Sequence, residues 1–128
     1  MRILVVDDEP AVLGFVSRVL RDAGYDTTVA ISGPQAIASA ESFDHLDLLL
    51  TDFRMPEMTG CELARAMRPR RPDLKVLYLT GYSDALFKEK AALSADEAFI
   101  EKPVSPTALL EAVSLLMFGH ISGPGLKR

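Results

Sequence analysis

The chain has a single cysteine, Cys61. No disulfide can form within it, so a reducing, cytoplasmic setting is expected. Nothing in its sequence neighbourhood would lower the thiol pKa, so Cys61 is expected to fill helix packing rather than do redox chemistry. There is no His or Cys cluster that would attract zinc. A basic excess is also missing. Fourteen Lys and Arg face eighteen Asp and Glu, for a formal net charge of −4 and a pI of about 5.1. Nonspecific nucleic-acid binding relies on basic surface, so no direct nucleic-acid partner is expected. No apolar stretch approaches the roughly 20 residues that span a bilayer. The short apolar run after Arg2 ends in Asp7-Asp8, which is not a signal-peptide pattern. No membrane role is expected.

What is present is ordinary for one globular domain: 128 residues, 48% hydrophobic and 25% charged. A chain of this size buries roughly two-thirds of the surface its unfolded form exposes, so a core forms without metal or disulfide staples. The sequence divides into a domain over residues 1–119 and a flexible tail over 120–128, the tail marked by Gly123-Pro124-Gly125.

Apolar, β-branched runs alternate with helical patterns along the whole domain. Strands are predicted at residues 3–6, 27–30, 46–51, 74–79 and 98–100. Between them, Val12, Leu13, Val16, Val19, Leu20 and Ala23 recur at helical spacing over residues 10–23, with Pro10 at the start and Gly24 at the stop. Ser32 caps a second helix carrying Ala36, Ile37 and Ala40. Residues 61–67 read as a third, residues 84–93 as another, and Ser105-Pro106 opens a last one that ends at Gly119. This alternation implies an α/β fold: a single doubly wound, five-stranded parallel sheet in the order 2-1-3-4-5, with helices on both faces.

In such a sheet all C-terminal strand ends share one edge, and ligands bind where the strand order reverses. Asp7, Asp8, Asp52, Thr80 and Lys102 each follow an apolar run at that end. Two unit charges about 4 Å apart repel by about 1 kcal/mol in water and about 4 kcal/mol at an effective dielectric of about 20. Three converging carboxylates therefore call for a cation, and Mg²⁺ suits few protein oxygens combined with waters and a phosphate. Asp7 and Asp8 are the candidates to hold it, directly or through water. Asp52 is the candidate nucleophile, since a carboxylate can attack phosphorus to give an aspartyl-phosphate. Lys102, before Pro103, can reach a phosphate oxygen and Asp52, and the Lys102–Pro103 bond is a candidate for the cis form. Thr80, before Gly81, can donate its hydroxyl to a phosphoryl oxygen. Glu9 is expected to cap the first helix.

Four motifs in order carry a family resemblance: Leu4-Val5-Val6-Asp7-Asp8-Glu9-Pro10; Leu49-Leu50-Thr51-Asp52-Phe53-Arg54-Met55-Pro56 with Met58-Thr59-Gly60; Leu79-Thr80-Gly81-Tyr82; and Lys102-Pro103. Together, over roughly residues 2–118, the chain resembles the receiver domain of bacterial two-component response regulators. The resemblance implies a flavodoxin-like fold and phosphoryl transfer onto Asp52 from a sensor histidine kinase or phosphotransfer protein. It implies Mg²⁺ held by Asp8, Asp52 and the backbone carbonyl of Arg54, with Asp7 acting through water. Thr80 and Lys102 would bind the phosphoryl group. Thr80 would form a switch with Phe99, where a Phe without a hydroxyl leaves only shape to be read. Arg54 and Tyr82 would flank the path of attacking water and tune phosphate lifetime. The output surface would be residues 84–93 and 98–117, facing an unidentified protein target, and the chain would be a monomer or a weak phosphorylation-dependent dimer. Competing classes are a Mg-dependent aspartyl-phosphate phosphatase, a flavin carrier and a degenerate receiver acting as a constitutive interaction module. The acidic loop after the first strand would repel a flavin phosphate, and the complete acid–Thr80–Lys102 set opposes degeneracy.

Overall fold

A computed structural model describes residues 1–81 and 96–119. The helix expected over residues 84–93, Tyr82 and the tail at 120–128 lie outside the described residues.

Five parallel strands form one sheet: β1 (Arg2–Val6), β2 (Asp26–Ala30), β3 (Leu48–Asp52), β4 (Lys75–Thr80) and β5 (Glu97–Glu101), in the order β2-β1-β3-β4-β5. The order is the one expected from the alternating pattern. Four helices are described: α1 (Pro10–Asp22), α2 (Gly33–Ala40), α3 (Gly60–Met67) and α4 (Pro106–Phe118).

The continuous apolar runs of β1 and β3 are explained by burial on both sides. Leu4, Val6 and Leu49 pack with Ala36, Leu63 and Met67 of α2 and α3. Ile3, Val5, Leu48 and Leu50 pack with Leu13, Val16 and Leu20 of α1 and with Leu109 and Val113 of α4. All seven of these β1 and β3 side chains are fully buried. Each such side chain contributes roughly 1.5–3 kcal/mol on leaving water, which makes these two strands the anchor of the fold.

Helix starts follow local chemistry. Ser32 Oγ accepts from the Gln35 amide at 3.2 Å, and Ser105 Oγ accepts from the Ala108 amide at 3.0 Å. Gly24 (φ +97°) and Gly119 (φ +78°) take the left-handed conformation after α1 and α4, where a side chain would be strained. α3 begins at Gly60, one residue before the expected start at 61, because a capping box closes its first turn. The Glu62 amide donates to Thr59 Oγ1 at 3.1 Å, and the Thr59 amide donates to Glu62 Oε1 at 2.8 Å.

Strand limits also differ from expectation. β5 extends through Glu97 and Glu101 because backbone pairing with Val76 and Thr80 continues past its apolar centre, and hydrophobicity cannot report backbone pairing. β3 begins at Leu48. The buried Leu46 lies ahead of it, and the Asp47 carboxylate accepts from the Arg2 amide at 2.8 Å.

The loop from β3 to α3 is tightly constrained. Glu57 has φ +71°, and the Met58 amide donates to the Pro56 carbonyl at 2.7 Å, which closes a γ-turn. The Gly60 amide donates to the Phe53 carbonyl at 2.9 Å. A Cβ on Gly60 would lie 2.5 Å from the Asp52 carbonyl oxygen, and backbone cannot yield as a flexible side chain can. Gly14, in the middle of α1, has nothing within 4 Å of its would-be Cβ. Gly60→Ala is therefore expected to destabilise by about 1–3 kcal/mol, while Gly14→Ala stabilises by about 0.5–1 kcal/mol. Urea unfolding of both variants beside the parent checks the pair; equal effects would mean the close approach at Gly60 is relaxed in solution.

Candidate functional site

Register places the site. Val6 pairs with Ala30 on one side and Thr51 on the other, and Asp52 pairs with Leu79. Asp7, Asp8, Asp52 and Thr80 therefore leave adjacent strands at the same edge. Lys102 joins them through its backbone, whose amide donates to the Thr80 carbonyl at 2.9 Å. The Lys102–Pro103 bond is cis.

Asp7, Asp8 and Asp52 each bring a carboxylate oxygen within 4.8 Å of the others. Asp7 and Asp52 are buried and Asp8 is exposed. The Lys102 ammonium lies 3.0 Å from Asp7 Oδ2, 3.2 Å from Asp52 Oδ1 and 3.4 Å from Glu9 Oε1. Thr80 is buried at the end of β4 and, with Arg54, Gly81 and Asp52, lines an open cleft of about 310 Å³.

One expectation is corrected. Glu9 occupies the residue before α1, but its side chain makes no capping bond. It turns instead to Lys102, drawn by the ammonium. The Glu9 amide donates to Asp7 Oδ1 at 2.9 Å, so the turn is closed by Asp7. This role was not legible in sequence because Lys102 is 93 residues away.

Electrostatics follow from crowding. Burial and then the neighbouring Asp7 charge push Asp52 up to about 6, against the opposing pull of Lys102. Asp7 is also raised, chiefly by burial. Burial works against the Lys102 charge, but the Asp7 and Asp52 carboxylates outweigh it and hold the ammonium above its ordinary 10.5. Asp7 Oδ2 is buried and has no aligned hydrogen bond despite its 3.0 Å approach to Lys102. That contact is an ion pair without hydrogen-bond direction. An orphaned buried oxygen within an all-oxygen donor set fits a hard dication or its bound water.

Phe99 is partly buried and pairs across the strands with Tyr78. Tyr78 meets Phe53 edge-on at 6.4 Å and donates its hydroxyl to Glu97 at 3.2 Å. Thr80 and Phe99 thus belong to neighbouring strands on one face of the sheet. Cys61 is buried against the same core.

With this geometry in place, the comparisons are decisive. The model of the response regulator receiver domain matches residues 3–114. The chain belongs to the response regulator receiver domain family. It is 31% identical over 116 residues to the response regulator receiver protein CpdR of Brucella abortus, covering 91% of this chain and 96% of that one. It is 33% identical over 116 residues to the sensor kinase CckA of the same organism, covering 90% of this chain but only 12% of the kinase. It also matches 44% of the length of TcrX, a probable transcriptional regulatory protein of Mycobacterium tuberculosis, at 38% identity over 80% of this chain. Among solved structures, CheY4 of Vibrio cholerae superposes with a TM-score of 0.79 at 32% identity, covering 90% of this chain and 97% of that one. TrrA of Thermotoga maritima, in complex with Mg²⁺ and BeF, gives a TM-score of 0.75 at 34% identity, with the same coverage.

The chain is thus a receiver domain of two-component signalling. No helix among the described residues is long and apolar enough to cross a membrane.

The raised Asp52 has a consequence for stability. An acid at about 6 in the fold and 3.8 when free binds its proton more tightly folded than unfolded. Its favourable contribution is present below pH 3.8 and is lost as pH rises through about 6. At pH 7 the charged carboxylate costs on the order of 3 kcal/mol. Asp52→Asn is expected to stabilise the metal-free protein at pH 7 by roughly 1–3 kcal/mol, with the gain shrinking toward pH 4. Urea unfolding at both pH values, without divalent cations, tests this; a variant less stable at pH 7 than the parent would contradict the assignment.

Proposed function

We propose that the chain is a phospho-acceptor switch of a two-component phosphorelay. It takes a phosphoryl group from the phosphohistidine of a sensor histidine kinase or phosphotransfer protein onto Asp52. The observation that carries this reading is the Lys102 ammonium held between Asp7 and Asp52 at a buried acidic edge.

In the transfer, an Asp52 carboxylate oxygen forms a bond to phosphorus as the N–P bond of the donor breaks. The released imidazole nitrogen keeps its electron pair and takes up a proton. Lys102 pairs with the incoming phosphoryl oxygens, exchanging part of its contact with Asp52 for them. Thr80 donates its hydroxyl to a phosphoryl oxygen. Asp8, Asp52 and the Arg54 carbonyl would hold Mg²⁺, with Asp7 assisting through water, and the ion would supply charge neutralisation to the phosphoryl group. Slow attack by water later returns the Asp52 carboxylate and inorganic phosphate. Arg54, exposed at the cleft, and Tyr82 limit that attack. Movement of Thr80 toward the phosphoryl group opens space for Phe99 to turn inward, and Phe99 lies on β5, within the proposed output surface.

The donor needs a seat beside the cleft. An apolar groove of about 480 Å³, lined by Val12, Phe15, Pro103 and Val104, shares Glu9 and Lys102 with the site. Phe15 is 39% exposed there. This groove is where the donor protein packs while its histidine faces Asp52.

Incubation with acetyl phosphate and Mg²⁺ is expected to add about 80 Da to the intact mass, and Asp52→Asn to abolish the gain. Lys102→Ala should fold yet lose the phosphorylation-dependent spectral change. Label retained in Asp52→Asn would move the acceptor elsewhere. Phe15→Glu is expected to slow transfer from a histidine kinase by about tenfold or more while leaving acetyl phosphate labelling unchanged. Equal slowing with both donors would show that Phe15 supports the fold rather than the docking.

A further inference from the structure

We propose that Glu9 is a positioning residue of the phospho-acceptor site: in the resting protein its carboxylate occupies a Lys102 N–H that a phosphoryl oxygen takes when Asp52 is phosphorylated. The inference rests on the phospho-acceptor reading and adds to it a residue that restrains the reaction.

The Lys102 ammonium has three N–H donors, and three carboxylates lie within its reach. Asp7 Oδ2 is at 3.0 Å, Asp52 Oδ1 at 3.2 Å and Glu9 Oε1 at 3.4 Å. The nearest oxygen, Asp7 Oδ2, has no aligned hydrogen bond. The Glu9 contact does have hydrogen-bond geometry. One donor direction is therefore spent on the most distant of the three acids.

The three acids differ in what they lose when the ammonium turns away. The Asp7 side chain is fully buried and that of Asp52 is 9% exposed, so water replaces little at either. The Glu9 side chain is 63% exposed, and water takes the place of the ammonium there at small cost. A buried carboxylate left without its partner is far more costly. An incoming phosphoryl oxygen therefore displaces Glu9 before it displaces Asp7.

The backbone delivers Glu9 to this position. Its amide donates to Asp7 Oδ1 at 2.9 Å, and Pro10 follows as the first residue of α1. Glu9 has the extended backbone of a helix cap, φ −100° and ψ 112°, yet its side chain leaves α1 uncapped. Glu9 and Lys102 are also the two residues that line both the phosphate cleft and the donor groove. Their contact lies at the boundary between the donor's seat and Asp52.

A contact made in the resting state and lost in the transition state slows the reaction. With acetyl phosphate as donor, an Asp52 oxygen bonds to phosphorus while acetate leaves with the electron pair of the broken P–O bond. Lys102 meets the phosphoryl oxygens as this happens. Freeing the ammonium in advance is expected to speed labelling about two- to fivefold, the scale of an exposed ion pair.

The test follows the intact mass of the full chain during incubation with acetyl phosphate and Mg²⁺, for the parent, Glu9→Ala and Glu9→Asp. Asp keeps the charge but is one methylene shorter and is a preferred helix cap, so its carboxylate turns to the first amides of α1. Both variants, shown folded by melting curves, should label about two- to fivefold faster than the parent. A second readout needs neither metal nor phosphodonor. In NMR spectra of isotope-labelled lysine, both substitutions should move the Lys102 ammonium signal, identified by its loss in Lys102→Arg. Fast labelling by Glu9→Ala with parental labelling by Glu9→Asp would show that charge at the cleft mouth acts rather than the contact, and would overturn the proposal. So would unchanged or slower labelling of both variants, or an unmoved Lys102 signal. A parent that takes no label would refute the phospho-acceptor reading and this inference together, whereas a labelled parent with unaffected variants removes the role of Glu9 alone.

Discussion

One ammonium group set among four carboxylates governs this structure. Lys102 lies within 3.0–3.4 Å of Asp7, Asp52 and Glu9, and Asp8 completes the acidic group. At such distances each like-charge pair costs a few kcal/mol in a partly buried environment. A single positive charge cannot neutralise the set. The residue left over appears as the elevated pKa of Asp52 and the orphaned oxygen of Asp7. The site is poised to gain from further positive charge.

The strain is tolerated because the supporting backbone cannot move apart. β1 and β3 are buried on both faces and paired with each other and with their neighbours. Separating Asp7 from Asp52 would mean parting that pairing and exposing fully buried leucines and valines. The loop after β3 is equally confined, with Gly60 against the Asp52 carbonyl and Glu57 held at positive φ. A site with high internal repulsion thus rests on the least deformable part of the fold.

Away from the acidic cluster, buried and half-buried charges are paired: Arg68, which follows α3, meets Glu97, and Lys75 meets Asp96. Tyr78 and Phe99 share one face of the sheet with Glu97, and the Tyr78 hydroxyl donates to it.

Much of this was legible in the chain itself. Apolar runs bounded by Gly and Pro marked the five strands, and polar residues just after them marked the edge where Asp7, Asp8, Asp52, Thr80 and Lys102 gather. Period and punctuation are local properties, so local reading recovers them. What sequence could not decide depends on through-space contact. Glu9 has the position of a helix cap, and only the arrival of Lys102 from the far end of the chain turns it aside. Glu97 and Glu101 break the hydrophobic pattern of β5, yet backbone pairing with β4 carries them into the sheet. Gly60 is an ordinary loop glycine until β3 is placed against it. The sequence by itself determined the order of elements and the chemistry available at one edge. The tertiary structure decided which charges touch, how deeply they are buried and therefore how far each is driven from its ordinary acidity, because those quantities fall off with distance in space and not with separation along the chain.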